Sequence, residues 1–346
     1  MDQTILVTGG AGFIGSNFVH YLAEKYPNFR IFVLDILTYA GSVENLPSSM
    51  LSGRSDARLQ FWYGNVCNAE VVNTLVAEAD VVVHFAAETH VTRSIYDNAL
   101  FFQTDVLGTQ TVANAVLRAG KKIRRFIHVS SSEVYGTALS ERMTEEHPLN
   151  PMSPYASAKC GADRLVYSYW ATYNIPVVIV RPFNNFGRRQ HLEKVIPRFV
   201  TSVILGEELT VHGNGRAARD FVYVDDVCRA LDLIIQAPAD KVVGEVINVA
   251  TAEDRPILEI ARDVVRMMGY SPEKIVLQGD RPGQVVRHTG DNAKARRLLG
   301  WKPQVNWEDG LAETIKWYSN NRSWWEKQIW MRHIPITTAA GKLEFH

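Results

Sequence analysis

Thr4-Ile5-Leu6-Val7-Thr8-Gly9-Gly10-Ala11-Gly12-Phe13-Ile14-Gly15 carries the fold of this chain in a dozen residues. Ile5, Leu6 and Val7 make a short apolar run of strand type, and Gly9, Gly12 and Gly15 follow at intervals of three. Glycines so placed permit a tight turn, let backbone N–H groups approach a pyrophosphate, and bring the next helix close to the strand. That helix, from Phe13 to Lys25, would point its N-terminus at phosphate. A glycine pattern alone is a weak signal, because each glycine could equally be a plain turn or cap. Here a second apolar run, Ile31-Phe32-Val33-Leu34, ends at Asp35, where a carboxylate can hold an adenosine ribose diol. Gly9, Gly12, Gly15 and Asp35 therefore predict a dinucleotide site. Asp35 would repel a 2′-phosphate, and no Arg or Lys stands beside it or in the glycine loop, so NAD is expected rather than NADP.

Outward from this stretch, apolar runs alternate with longer amphipathic ones: LQFWYG, DVVVHFA, RRFIHVSS, then IPVVIVRP. Strands this uniformly apolar belong in a parallel sheet covered by helices on both faces. The predicted fold class is α/β, a doubly wound parallel sheet of Rossmann type. Beyond Pro182 the alternation fades into GEELTVHGNG, a helix opening at Asp225-Asp226, INVAT, and Trp-rich helices after Trp301. The expected division is a Rossmann domain from 1–183 and 218–250, a smaller mixed α/β substrate-binding lobe from 184–217 and 251–330, and an irregular tail from 331–346. Ser48 to Asp56 reads as a loop.

Composition excludes several classes. Lys+Arg and Asp+Glu both number 37, so no net field draws nucleic acid. Cys67, Cys160 and Cys228 lie far apart, without disulfide or metal-ligand spacing, and no metal is expected. No signal peptide and no membrane span is read from the chain. A cytoplasmic protein is the expectation.

Tyr155 and Lys159 stand four apart in SPYASAK, and so share one helix face. An ammonium there favours the phenolate and is expected to lower the phenol pKa. By chance such a pair is an aromatic packed on a helix beside a solvated lysine. Here Ser130, Ser131 and Ser132 precede it at a strand end, where a hydroxyl can bond the reacting oxygen. Tyr155 would then take a proton from a sugar hydroxyl as hydride leaves its carbon for nicotinamide. Oxidation at C4 makes the C5–H acidic.

The blocks TGGAGFIGSNF, DILTYAG, HFAAETHVTRSI, SSSEVYG, SPYASAK, RPFNNFG, EKVIPRF, RDFVYVDD, DRPG and LGWKP resemble the nucleotide-sugar 4,6-dehydratases of the extended short-chain dehydrogenase/reductase group, from Ile5 to about Trp325. The resemblance implies a nucleotide-hexose 4,6-dehydratase, a UDP- or dTDP-linked hexose as substrate, and a homodimer. It implies that the cofactor also meets Phe13, Ile14, Thr38, Asn65, Val66, Ala86 and Ala87, with Thr104 and Asn185 near it. For the substrate it implies Thr89, Ser131, Asn184 and Val195, with Lys194, Arg219, Asn248 and Arg287 approaching the nucleotide and its diphosphate. In that family a strand end carries Thr-Asp-Glu, the Asp protonating the departing C6 hydroxyl and the Glu removing the C5 proton. Ser131-Ser132-Glu133 stand there in this chain.

Glu133 keeps the base, whereas the Ser132 hydroxyl is a poor proton donor. A general acid contributes roughly 10²–10⁴ in rate. A Ser-Glu pair also resembles nucleotide-glucuronate decarboxylases, so decarboxylation, and C4 epimerisation on the same scaffold, stand as alternatives. A non-catalytic NAD-sensing protein is a third, though it has no need of Tyr155, Lys159 and Glu133 together. Asn65, Thr92 and Asp105 stand where the family has Asp, Asp and Asn. His84, His90 and the aromatics from Trp301 to Trp330 read as packing or rim residues.

Overall fold

Strands with every residue buried lie at the centre of the molecule, and polar side chains on them such as Thr8, His84 and Arg181 find hydrogen-bond partners inside. A computed structural model describes residues 3–51, 58–279, 285–333, 335–337 and 343–345. Its main sheet contains β1 (Thr4–Thr8), β2 (Arg30–Asp35), β3 (Leu59–Tyr63), β4 (Val81–His84), β5 (Arg125–Val129), β6 (Val177–Pro182) and β7 (Val246–Val249). All seven are parallel, in the order β7-β6-β5-β4-β1-β2-β3. The order reverses direction between β1 and β4, which is where such sheets open a crevice at their C-terminal ends. Register carries the strand ends to one level: Thr8 pairs with His84, and His84 with His128.

Helices cover both faces, and successive β1 residues feed opposite cores. Ile5 and Val7 join Phe18, Val19 and Leu22 of helix Phe13–Lys25 and Val227, Leu231 and Ile234 of helix Val224–Gln236. Leu6 joins Val72 and Val76 of helix Ala69–Glu78, Val112 and Val116 of helix Thr109–Ala119, and Val166 of helix Pro154–Tyr173. The doubly wound sheet expected from the apolar rhythm is the fold observed. Before Thr109, residues Phe102–Gly108 form a π-helical turn, a local widening frequent at functional sites.

A second lobe has its own core around Phe186, Leu192, Phe199, Phe221, Trp307, Leu311 and Trp325. Strand Ala218–Tyr223 pairs with Asn184–Phe186, Asp254–Pro256 and Arg287–His288, and strand Leu209–His212 pairs with Ile275–Gln278. Ala218–Tyr223 thus lies in the small lobe's sheet, while the helix after it packs on the Rossmann face, held by a Lys25–Asp232 ion pair at 2.6 Å. Three readings of the chain are revised in detail, the first being the place of Ala218–Tyr223, which the expected division gave to the Rossmann domain. Ser48–Leu51 form a helical turn rather than loop, and the rest of that stretch lies outside the described residues. The end of the chain carries a short antiparallel pair, Pro335–Thr337 with Leu343–Phe345, instead of an irregular tail. The DRPG block lies outside the described residues.

Candidate active site

At the C-terminal ends of the parallel strands a cavity of about 430 Å³ is walled by both lobes, a size suited to a small-molecule site. Gly9, Gly12 and Gly15 form its floor beside the start of helix Phe13–Lys25. Gly9 has φ +69°, and a Cβ there would stand 2.5 Å from the Ala86 backbone nitrogen, so only glycine lets loop and strand end meet. Asp35 accepts from the backbone N–H of Ala11 at 2.9 Å and of Leu37 at 2.8 Å. Burial pushes its carboxyl pKa up, against the pull of these bonds. Each carboxylate oxygen retains a lone pair for a diol. The Asn185 Oδ1 is a buried acceptor with no hydrogen-bond partner among the described residues. A glycine floor that excludes a Cβ, a carboxylate beside it and an orphan acceptor across the cavity fit a dinucleotide.

The wall above this floor belongs to the β5 end. Ser131 caps the short turn Ser132–Tyr135 by accepting from the Glu133 N–H at 3.2 Å. Ser131 and Thr89 line the cavity together with Tyr155, and both favour its phenolate. Tyr155 sits in the first turn of helix Pro154–Tyr173, which starts there because the Ser153 side chain accepts from the Ala156 N–H at 3.1 Å and Pro154 fits the first position. One turn on, the buried Lys159 ammonium donates to the Val129 carbonyl at 2.8 Å.

The expected lowering of the phenol by Lys159 does not dominate. Burial pushes the Tyr155 phenol up, the neighbouring Ser131 and Thr89 oppose it, and the charges of Asp105 and Glu133 add to it. Burial likewise pushes Lys159 down while Asp105 and Asp163 pull it up. Asp105 is thus the group that answers the ammonium. It lies in the π-helical turn at 1% exposure; its Oδ1 accepts from the Glu88 N–H at 2.7 Å and its Oδ2 has no hydrogen-bond partner among the described residues. Burial raises its carboxyl well above the ordinary range. Among the sequence departures, Asp105 is the one that touches the electrostatics of the reacting pair.

Thr38, Asn65, Val66, Ala86, Ala87, Thr104, Phe13 and Ile14 also line the cavity, as do Thr89, Ser131, Ser132, Glu133, Asn184, Lys194, Val195 and Arg219. Lys194 reaches the Thr89 hydroxyl at 3.3 Å. Two expected residues are elsewhere. Asn248 spends its Nδ2 on the Met143 carbonyl at 3.0 Å and its Oδ1 on the Tyr135 hydroxyl at 2.7 Å, inside the core. Arg287 donates to the carbonyls of Glu141 at 2.9 Å and Ser140 at 2.7 Å, off the cavity wall. His84, read as packing, is a buried strut between the Thr8 hydroxyl at 2.6 Å and the Thr109 hydroxyl at 2.9 Å.

Glu193 was missed, although it opens the EKVIP block. Its Oε1 accepts from Tyr39 at 2.7 Å and its Oε2 from Arg93 at 2.9 Å, while the Arg93 guanidinium lies over the Tyr39 ring at 3.9 Å. Burial opposes ionisation, but His90, Lys194, His191 and Arg93 hold this carboxylate down to about 2. It is a fixed negative post under the cavity rim. His288 was missed as well. It is fully buried, with Nδ1 3.8 Å from Glu133 Oε1 and Nε2 bonded to the Gly136 carbonyl.

Comparison with known proteins places this architecture among relatives. A family described as GDP-mannose 4,6 dehydratase matches residues 6–314. The low-salt glycan biosynthesis protein Agl12 of Haloferax volcanii is 42% identical over 91% of this chain and 98% of its own length. A dTDP-glucose 4,6-dehydratase of Actinoplanes sp. is 41% identical over 93% of this chain and 99% of its own. Among solved structures, the dTDP-glucose 4,6-dehydratase DesIV of Streptomyces venezuelae, crystallised with NAD, superposes with a TM-score of 0.87 at 40% identity, covering 94% of this chain and 99% of that one.

Proposed function

This chain belongs to the nucleotide-sugar 4,6-dehydratase family of NAD-dependent short-chain dehydrogenases, and from that premise we propose that its substrate is dTDP-glucose and that Tyr155, Lys159 and Glu133 carry the reaction. It is a nucleotide-hexose 4,6-dehydratase, and NAD is its cofactor. The observation that carries the residue roles is the convergence of Ser131, Thr89 and Tyr155 on one wall, with Glu133 two residues beyond Ser131 and the glycine floor on the other side.

Tyr155 removes the proton of the C4 hydroxyl while Ser131 and Thr89 orient the reacting oxygen. Lys159 supplies the positive charge that favours the phenolate, and Asp105 sustains that charge against burial. Held by Gly9, Gly12, Gly15, Asp35 and Asn185, NAD would supply the hydride acceptor for C4 and the hydride donor for C6. The C4 ketone acidifies C5, and Glu133 takes the C5 proton so that the C6 hydroxyl can depart. Ser132, too weak an acid to drive departure, holds that hydroxyl by a hydrogen bond, and the departing hydroxide takes up the proton that Tyr155 removed from the C4 hydroxyl, so that one water leaves in each turnover. Asn184, Lys194 and Arg219 bind the nucleotide diphosphate, for which a guanidinium offers paired donors. The lobe division read from the sequence assigns cofactor to the parallel-sheet half and nucleotide to the smaller lobe.

The protein acts as a cytoplasmic homodimer. Tyr96, Leu100, Phe102, Leu107 and Tyr167, apolar side chains around the π-helical turn and helix Pro154–Tyr173, are all more than a third exposed and offer a face for a second copy. The roles are tested with Glu133→Gln. That variant is expected to bind NAD, oxidise C4 and stop with reduced nicotinamide in the site; normal turnover removes Glu133 from the mechanism.

A further inference from the structure

His288 reaches Glu133 from the other lobe. It ends the strand Arg287–His288, where its register partner is Arg219, and its ring meets Phe183 edge-on with centroids 6.3 Å apart. A carbonyl oxygen only accepts, so the bond to Gly136 requires the hydrogen on Nε2. In the neutral ring Nδ1 is then a bare lone pair. It has no hydrogen-bond partner among the described residues and faces Glu133 Oε1 at 3.8 Å. Two lone pairs face each other across that gap, and a single proton placed there satisfies both. Glu133 keeps some freedom to close the distance, its side chain being 21% exposed against 0% for His288.

We propose that His288 is a positioning residue that holds the proton Glu133 takes from C5. This rests on the assignment of Glu133 as the C5 base. The C5–H bond breaks, its electron pair stays on the sugar as an enolate conjugated with the C4 carbonyl, and the proton passes through Glu133 to form N–H at Nδ1. The carboxylate is thereby restored beside an imidazolium, and the reverse path returns the proton to C5 once hydride has reached C6. No electrons are exchanged in these transfers. The charged and titratable groups facing the ring are Glu133, Arg219 and His147, and only Glu133 favours the imidazolium. Burial opposes the charged ring, so the proton rests there only while the carboxylate is present to pair with it. An acid is missing at Ser132, and this pair gives the same strand end a second place to keep a proton.

The test compares His288→Gln with Glu133→Gln in the NAD-loaded enzyme turning over dTDP-glucose. Glutamine can keep a donor to the Gly136 carbonyl and removes the titratable Nδ1. His288→Gln is expected to leave KM and the rate of C4 oxidation unchanged, lower kcat about 10–100-fold, and accumulate reduced nicotinamide. Wild-type turnover without that accumulation, or equal loss of oxidation and elimination, overturns the proposal. Glu133→Gln separates the two claims, because its normal turnover refutes the base assignment itself, whereas a stall there with an active His288→Gln refutes only the role of His288. Should His288→Gln not fold, ¹⁵N spectra of wild-type histidines decide: the Nε2–H form with an Nδ1 signal displaced by Glu133→Gln is expected, and the Nδ1–H form contradicts it.

Discussion

Ser132 carries the sharpest question at the level of single residues, because it lines the cavity at the position where the family pattern places a carboxylic acid. If its hydroxyl only holds the C6 oxygen, Ser132→Asp restores an acid, and the turnover of dTDP-glucose is expected to rise about tenfold, part of the roughly 10²–10⁴ a general acid contributes. An unchanged rate in steady-state assays would mean that proton delivery to C6 does not limit turnover. Tyr155→Phe should lose about 10²–10⁴ in kcat while NAD still binds with wild-type affinity by calorimetry, since the phenol acts on the substrate. Placements that follow from neighbours in sequence were legible: Gly9, Gly12 and Asp35 gather around one end of the cavity, and Tyr155 and Lys159 stand one turn apart on one helix. Asn248 and His288 were not. Their partners, Tyr135 and Met143 for one, Gly136 and Glu133 for the other, stand more than a hundred positions away, and no local spacing encodes such meetings.

Among the elements, the π-helical turn Phe102–Gly108 is the one no periodicity announced. It buries Asp105 against Glu88 and Lys159, and burial raises that carboxyl. A carboxyl raised in the folded state still holds its proton where the unfolded chain has lost it, so its contribution is full below the ordinary carboxylate range and fades as pH climbs through the folded value. Asp105→Asn should therefore flatten this part of the pH dependence, stabilising the protein at pH 8 relative to pH 5 when thermal unfolding is compared with wild type. A steeper loss at pH 8 would show that the ionised Asp105–Lys159 pair stabilises the fold instead. The strands and the helices between them were legible from apolar runs and amphipathic spacing, because every β1 residue is buried between two helix layers. The strand pairing of the small lobe was not, because strands of two or three residues such as Arg287–His288 and Asn184–Phe186 are too short to show an alternation.

For the whole molecule, the two lobes meet at the cavity, and each brings what the other lacks: the glycine floor and Tyr155 from one, Arg219 and Lys194 from the other. The apolar side chains around Leu107 lead to an expected sedimentation mass of twice the 38.9 kDa chain, and Leu107→Glu should shift it to the single chain. The reaction itself is tested most directly by incubating the purified protein separately with dTDP-glucose, UDP-glucose, UDP-N-acetylglucosamine and UDP-glucuronate and weighing the products by mass spectrometry. The expected result is loss of one water from dTDP-glucose with no net change in NADH; loss of CO₂ from the glucuronate, with the neutral sugars unaltered in mass, would contradict the dehydratase mechanism and make Ser132 and Glu133 a decarboxylase pair.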